Sequence, residues 1–294
     1  MAQKITKITK ITTPKKVYNL HIQDNHNYFA EGINVSNCHT CQAKSLEYVL
    51  GNCTNAQFRI GTTGTLDDVL VHKLTIEGLL GLMYKPATSK ELMDQDILSK
   101  LVIKCVVLEH GGCPIEDYRD ELEYLISDSK RNKFICNLAM SLEKNTLILF
   151  NYIAKHGDLL KEMLDKVKGK RPVYYIHGKI DAEIREQVRQ ILETEHNAIV
   201  LASFGTWSVG NNVKNLHNII FASPLKKKIR SLQSIGRGLR LHKTKMYCTL
   251  YDISDDLREQ KGDKPNYTLG HFANRLKIYN DEKFAFSIYR VKLK

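Results

Sequence analysis

Two short stretches of this chain combine residue types and spacings that can do chemistry. The first is Ser36-Asn37-Cys38. The carboxamide of Asn37 can attack its own peptide carbonyl, closing a succinimide and releasing whatever follows. Cys38 then presents a thiol, which attacks thioesters near neutral pH more readily than an alcohol would. Upstream, His26 supplies an imidazole with an ordinary pKa of ~6.5, suited to act as acid or base at working pH. The second stretch runs from Leu232 to Arg240, where Arg237 and Arg240 are spaced to share one helix face, with Gln233 and Gly236 before them. Guanidinium forks of that kind neutralise charge on phosphoryl groups. A basic amphipathic helix is the plainer reading of the same residues.

The elements that must position these residues differ along the chain. Residues 1–16 alternate Lys, Ile and Thr, residues 17–22 alternate again, and residues 28–35 form a third extended stretch broken at Gly32. The first 37 residues therefore read as all-β and too short to bury a core alone, which predicts a partner chain. From Cys41 the texture becomes α/β. Residues 43–50 read as a helix, 58–65 as a strand ending in a Gly/Thr turn, and 100–108 as an apolar strand. Gly111-Gly112-Cys113-Pro114 reads as a linker and the main domain boundary. Beyond it, residues 115–142 are helical. Strands at 146–151, 172–176, 198–202, 218–222 and 247–252 then alternate with helices, predicting a parallel sheet covered on both faces. Residues 269–294 read as a basic, aromatic tail with a helical first half.

Composition narrows the class. A net charge of +12 over 294 residues favours a polyanionic partner such as nucleic acid. No apolar run is long enough to span a membrane and the lysine-rich N-terminus lacks a signal-peptide core, which points to the cytoplasm and to no membrane partner. Seven irregularly spaced cysteines argue against a disulfide framework. Cys38 and Cys41 form a C-x-x-C pair, but no second pair stands at zinc-site spacing, and a thioredoxin-like motif would follow a strand of its own fold.

The run from Val17-Tyr18 through Asn25-His26-Asn27-Tyr28-Phe29 and Gly32 to Ser36-Asn37, just before Cys38, resembles the C-terminal piece of a split intein. The resemblance implies a small all-β, Hint-type fragment over residues 1–37 that cyclises Asn37 and ligates through Cys38. Many inteins carry His before the terminal Asn, where this chain has Ser36; the split inteins that interrupt DNA polymerase subunits share the Ser-Asn-Cys ending. His26 then carries more of the acid/base work. With no Cys or Ser block upstream, the N-terminal intein half is expected on another polypeptide.

Several motifs from Cys38 onward resemble superfamily 2 helicases of the UvsW type, which remodel branched DNA in T-even-like phages. Cys38-His39 resembles the end of an Asp-Glu-Cys-His motif, and Gly61-Thr62-Thr63-Gly64-Thr65 the small-hydroxyl turn that couples ATP to DNA. Leu232 to Arg240 fits the family's Q-x-x-G-R-x-x-R motif. Tyr174 to Gly178, Ala202 to Thr206 with Gly210, Leu250-Tyr251-Asp252 with Asp255-Asp256, and Arg275 to Asn280 follow in the family's order.

The resemblance implies the end of one RecA-like domain over 38–110, a complete second one over 111–265 and an extension over 266–294. It implies Arg237 and Arg240 as arginine fingers. His39, Thr63, Gly64, Thr65, Gln233, Gly236 and Gly210 would couple to ATP, although Asn211-Asn212 replaces the usual acid after Gly210. His177, Gly178, Ser203 and Thr206 would contact DNA. Lys226, Lys227, Lys228 and Arg230 either track phosphates or form a solvated charge run. The cofactors implied are ATP and Mg²⁺, with the Mg²⁺ carboxylates immediately before Cys38 on the missing half. The sequence contains no Gly-x-x-x-x-Gly-Lys-Thr, so the chain alone is not expected to hydrolyse ATP. The whole reads as the C-terminal precursor of a trans-spliced DNA helicase, in an infected bacterial host if phage-encoded. A stand-alone nucleic-acid-binding module and an inactive gene remnant remain as alternatives.

Overall fold

The computed structural model describes residues 27–30, 33–37, 47–48, 51, 58–62, 70–82, 84, 87–113, 115, 117–167, 169–207, 213, 215–224, 247–260 and 262–293. The chain divides into two compact units, Met1–Met83 and Tyr84–Lys294.

In the first unit, β1 (Asn27–Ala30) and β2 (Ile33–Asn37) pair antiparallel, with Tyr28 opposite Val35, on either side of Glu31-Gly32. Strand β2 then pairs in parallel with β3 (Phe58–Thr62), which sets Asn37 beside Thr62. Helix α1 (Leu70–Leu80) follows.

The second unit is built on a seven-stranded sheet in the order β10-β4-β9-β8-β5-β7-β6. Its strands are β4 (Lys100–Glu109), β5 (Thr146–Phe150), β6 (Val173–Ile176), β7 (Ile199–Ser203), β8 (Asn218–Phe221), β9 (Tyr247–Asp256) and β10 (Phe286–Lys292). Every pairing is parallel. Each central strand alternates its apolar side chains between two cores. Cys105, Leu147, Leu149, Val200, Ile219 and Leu250 enter one; Val106, Ile148, Leu201, Ile220 and Ile253 enter the other. That alternation explains why the central strands read as continuous apolar runs.

The predicted strands of the second domain form close to where the sequence places them, but two expectations need correction. The boundary expected near residue 111 lies at 83/84 instead. Strand β4, assigned above to the first domain, pairs with β9 along its full length, Lys100 opposite Tyr247 through Glu109 opposite Asp256. The Gly111-Gly112 stretch is therefore a turn inside the unit: both glycines have positive φ (77° and 94°), and Cys113 N–H donates to Leu257 O at 2.8 Å. The tail is likewise not a separate extension. After helix α8 (Tyr267–Asp281) the chain returns as β10, an edge strand parallel to β4.

The intervening helices are α2 (Ser89–Asp94), α3 (Tyr118–Ser127), α4 (Ser129–Ser141), α5 (Asp158–Val167), α6 (Ala182–Thr194) and the short α7 (Phe204–Trp207). The single helical stretch predicted over 115–142 is broken at Asp128, whose carboxylate accepts from Lys130 N and Arg131 N, both at 3.2 Å, and caps the second helix. No helix among the described residues is long and apolar enough to cross a membrane.

Candidate nucleic-acid interface

In a parallel sheet every strand ends on one edge, and the loops leaving that edge are free to carry function. Strands β6 and β7 are neighbours, with Ile176 opposite Ala202, so the turns that follow them, His177-Gly178 and Ser203–Thr206, emerge side by side. A Cβ placed on Gly178 would lie 3.7 Å from Thr206 Oγ1. Of the residues expected to contact DNA, these four are therefore brought together.

Their chemistry differs. The Ser203 hydroxyl donates to Thr206 Oγ1 at 2.9 Å and accepts from Thr206 N–H at 3.4 Å. Both side chains are only 7% exposed, so their first task is to fix the turn. His177 is half-buried and Gly178 exposed. The imidazole packs edge-on against Tyr175 at 4.7 Å, and its Nδ1 accepts from Lys179 N–H at 3.3 Å. Tyr175 in turn donates to Asp158 at 2.7 Å, and its hydroxyl is held above the ordinary range by burial and by that carboxylate.

A buried relay ties the neighbouring strand ends together. Asn151 N–H donates to Ser223 Oγ at 3.1 Å, and His156 Nδ1 lies 2.9 Å from the same oxygen. On the other side of the ring, Nε2 lies 3.1 Å from Asn132 Oδ1, while Asn132 Nδ2 donates to Ile126 O at 2.8 Å. The amide oxygen of Asn132 can only accept, so His156 carries its proton on Nε2 and accepts a hydrogen bond from the Ser223 hydroxyl at Nδ1. Burial, followed by the Arg131 charge, lowers its pKa to about 3, so this histidine is neutral. Close packing completes the fixture: a Cβ on Gly157 would meet the Phe150 ring and the Tyr175 hydroxyl at 2.5 Å. The relay holds Ser223 and Pro224, the residues from which the basic segment at 226–230 departs.

Beside it lies a charged cluster. Arg131 grips Asp255 with Nε at 2.8 Å and Nη2 at 3.0 Å, and His110 Nε2 adds a third contact at 3.1 Å. Burial opposes the charge on Asp255, but the Arg131 and His110 contacts outweigh it and hold the carboxyl below its usual range. On the other face of β9, Arg275 Nε and the Tyr279 hydroxyl both donate to Asp252 Oδ2, at 2.8 and 2.9 Å.

The sequence reading missed Arg131, His110, Asn132, His156 and Ser223 as positioning residues. Their partners stand 24 to 145 residues away, so no local spacing marks them. The only local sign is Ser223, a polar residue at the end of an apolar run.

Ser36 and Asn37 lie in β2, described here by backbone pairing. His26, Cys38, His39, Thr63, Gly64, Thr65, Gly210, Lys226, Lys227, Lys228, Arg230, Gln233, Gly236, Arg237 and Arg240 lie outside the described residues. Among the described residues no group of three His, Cys, Asp or Glu side chains converges on a metal position, so no step through Mg²⁺ is drawn from them.

Residues 129–242 match the helicase conserved C-terminal domain. The ATP-dependent DNA helicase uvsW of Enterobacteria phage T4 is 32% identical over 280 residues, covering 87% of this chain and 54% of that protein. The crystal structure of T4 UvsW aligns with a TM-score of 0.57 at 29% identity, over 88% of this chain and 54% of that one. A fragment of a putative HsdR subunit of a type I restriction enzyme from Vibrio vulnificus shares the fold alone, with a TM-score of 0.63 at 14% identity over 89% of this chain and 48% of that one. The chain thus spans about half the length of the curated relative it matches. It carries a C-terminal helicase domain, a parallel RecA-like α/β sheet homologous to that of the T4 UvsW-type superfamily 2 helicases.

Proposed function

We propose that this chain supplies the C-terminal part of an ATP-dependent DNA helicase acting on branched DNA, and that residues 1–37 are a C-terminal split-intein fragment that joins it to its other part. The observation that carries the helicase reading is the placement of His177-Gly178 beside Ser203–Thr206 at the ends of adjacent parallel strands, in a domain homologous to a DNA helicase. Backbone turns held rigid from behind can follow a phosphate backbone without reading its sequence. Arg237 and Arg240 act on the nucleotide phosphates; ATP and Mg²⁺, once bound in the complete enzyme, supply the phosphoryl group and its charge neutralisation.

The splicing reading rests on Asn37-Cys38 and the block before it. The Cys38 thiol takes the acyl group of the partner polypeptide from a thioester on the partner's intein segment, displacing that segment's thiol; Asn37 then cyclises, which breaks the peptide bond to Cys38, and the freed Cys38 amine takes the acyl group from its own sulfur to leave an amide. The motor's Asp-Glu then precedes Cys38-His39, which completes the Mg²⁺ motif.

Two measurements test these parts separately. The purified chain should bind DNA but show no DNA-stimulated ATPase; strong ATPase from the chain alone would refute the need for another part. Mixed with an N-terminal helicase half that ends in its own intein segment, it should give a ligated product and a free fragment of residues 1–37. Release of that fragment by Asn37→Ala would sink the splicing reading.

A further inference from the structure

One face of the large sheet is only half covered. Along β4, Leu101, Ile103 and Cys105 point to the face that α8 covers and are at most 6% exposed. On the opposite face, Ile135, Cys136 and Ala139 of α4 join a core with Val106, Leu108 and Ile253. Toward the beginnings of β4 and β9, and out on β10, described side chains on this face stand exposed. Val102 is 40% exposed, Tyr247 58% and Tyr289 48%. The parallel register sets Tyr247 beside Lys100, Tyr251 beside Lys104, and Tyr289 beside Val106, so all of them stand on this one face. The Lys104 ammonium lies over the Tyr251 ring, 5.6 Å from its centre. No acidic residue occupies a strand position on this bare half.

The handedness of parallel connections explains why the face is bare. The crossovers from β4 to β5 and from β5 to β6 run one way along the sheet, and the crossover from β9 to β10 runs the other way. Right-handed crossovers running in opposite directions lay their helices on opposite faces. Among the crossovers of this sheet, only the β4-to-β5 connection can therefore roof this face near β4 and β9, and its helix α4 runs from the end of β9, where Arg131 meets Asp255, to the beginning of β5, where Arg171 donates to Ala139 O and Thr146 Oγ1, leaving the beginnings of β4 and β9 aside.

We propose that this bare half-face binds a single unpaired nucleic-acid strand, separately from the edge that carries His177 and Ser203. Tyr247 and Tyr289 stack bases, while Lys100 and Lys104 neutralise phosphates. The two tyrosines are six register positions and two strand spacings apart, about 20 Å along the strands and about 10 Å across them. That diagonal suits a run of roughly four nucleotides, the short end of known single-strand sites. Aromatic rings beside lysines, with no acid among them, match the stacking surface and charge of such a strand. An acidic or purely apolar protein partner would use only one of the two. A site here would let the protein hold one displaced strand while its opposite edge engages another. This goes beyond the proposed helicase role and needs no splicing.

The test uses the full chain with fluorescently labelled oligothymidylate. Tyr247→Ala and Tyr289→Ala should each weaken binding about tenfold, with the Phe replacements near wild type. Lys104→Gln should lower the salt slope by about one. Both tyrosines are well exposed, so the variants should fold, and an unchanged circular dichroism spectrum checks it. A photoreactive thymine should cross-link to peptides holding Tyr247 or Tyr289. Unchanged affinity in both alanine variants, or cross-links confined to the 177–206 edge, overturns the proposal and leaves the helicase reading standing. Failure of the chain to bind any nucleic acid overturns both. A dimer in sedimentation that Tyr289→Ala dissociates overturns it in favour of a second copy on this face.

Discussion

Two of the aspartates that strand β9 buries, Asp252 and Asp255, lie on opposite faces of the sheet and are held differently. Asp255 spreads its charge over Arg131 and His110, using both oxygens. Asp252 gathers Arg275 and Tyr279 on Oδ2 alone, and its Oδ1 has no partner among the described residues. Both carboxylates and Arg131 are fully buried, and Arg275 is 2% exposed. A buried pair adds little over an apolar one, but losing one member leaves a stranded charge. The comparison teaches that partner redundancy sets the cost of a buried ion. The Asp255 cluster adjoins the relay at the ends of β5 and β8 and has a second donor in the His110 ring. The Asp252 pair fastens α8, and through it β10, with only the Tyr279 hydroxyl as second donor.

The largest effect should therefore come from Arg275→Ala. It leaves Asp252 with only a tyrosine hydroxyl and should cost about 4 kcal/mol in urea unfolding. Replacing both partners by apolar residues, Arg275→Met with Asp252→Leu, should recover most of that loss. Arg131→Ala should cost less, about 3 kcal/mol, because His110 still holds Asp255. If Arg131→Ala proves the more damaging, redundancy is not what separates the two sites.

The pH profile sharpens the contrast. His156 lies within reach of the Arg131 and Asp255 charges, and its native pKa of about 3 is well below an unfolded value of ~6.5. The unfolded chain then binds the extra proton, so stability should fall as pH drops through that window. His156→Gln should flatten the slope. Arg131→Ala should shrink it, because the repulsive cation is gone, whereas Arg275→Ala should leave it unchanged. A further loss belongs to Asp255, whose depressed pKa contributes stability that is complete above ~4 and disappears in stronger acid.

The smallest effect serves as a control. Thr88 caps α2, accepting from Glu91 N–H at 3.2 Å while Glu91 accepts from Thr88 N–H at 2.7 Å. Thr88→Ala should cost about 1 kcal/mol, equally in the wild type and in either arginine variant, because it shares no partner with them.

Much of the sheet was legible beforehand, because strands buried on both faces are apolar throughout and bounded by turn residues. Residues 146–150 and 199–203 are clear cases. Strand β10 was not: as an edge strand it exposes Ser287, Ile288, Tyr289 and Arg290, and reads as part of a basic, aromatic tail. Nor was the affiliation of β4, since an apolar run does not say which sheet it enters. At the candidate interface, His177 and Ser203 were found through family resemblance. The relay behind them was not, because Asn132, His156 and Ser223 meet only when β5 and β8 are aligned.

The sequence by itself determined the local grammar of this protein: most of the buried strands of the second unit, the three-residue spacing of two arginines, and an asparagine that precedes a thiol. These follow from backbone periodicity and side-chain chemistry within a few residues. Tertiary structure alone decided that β4 and β10 join the second unit, that two aspartates on one strand face opposite cores, and that half of one sheet face stays bare. Those outcomes depend on register and on crossover handedness, which relate residues more than a hundred positions apart.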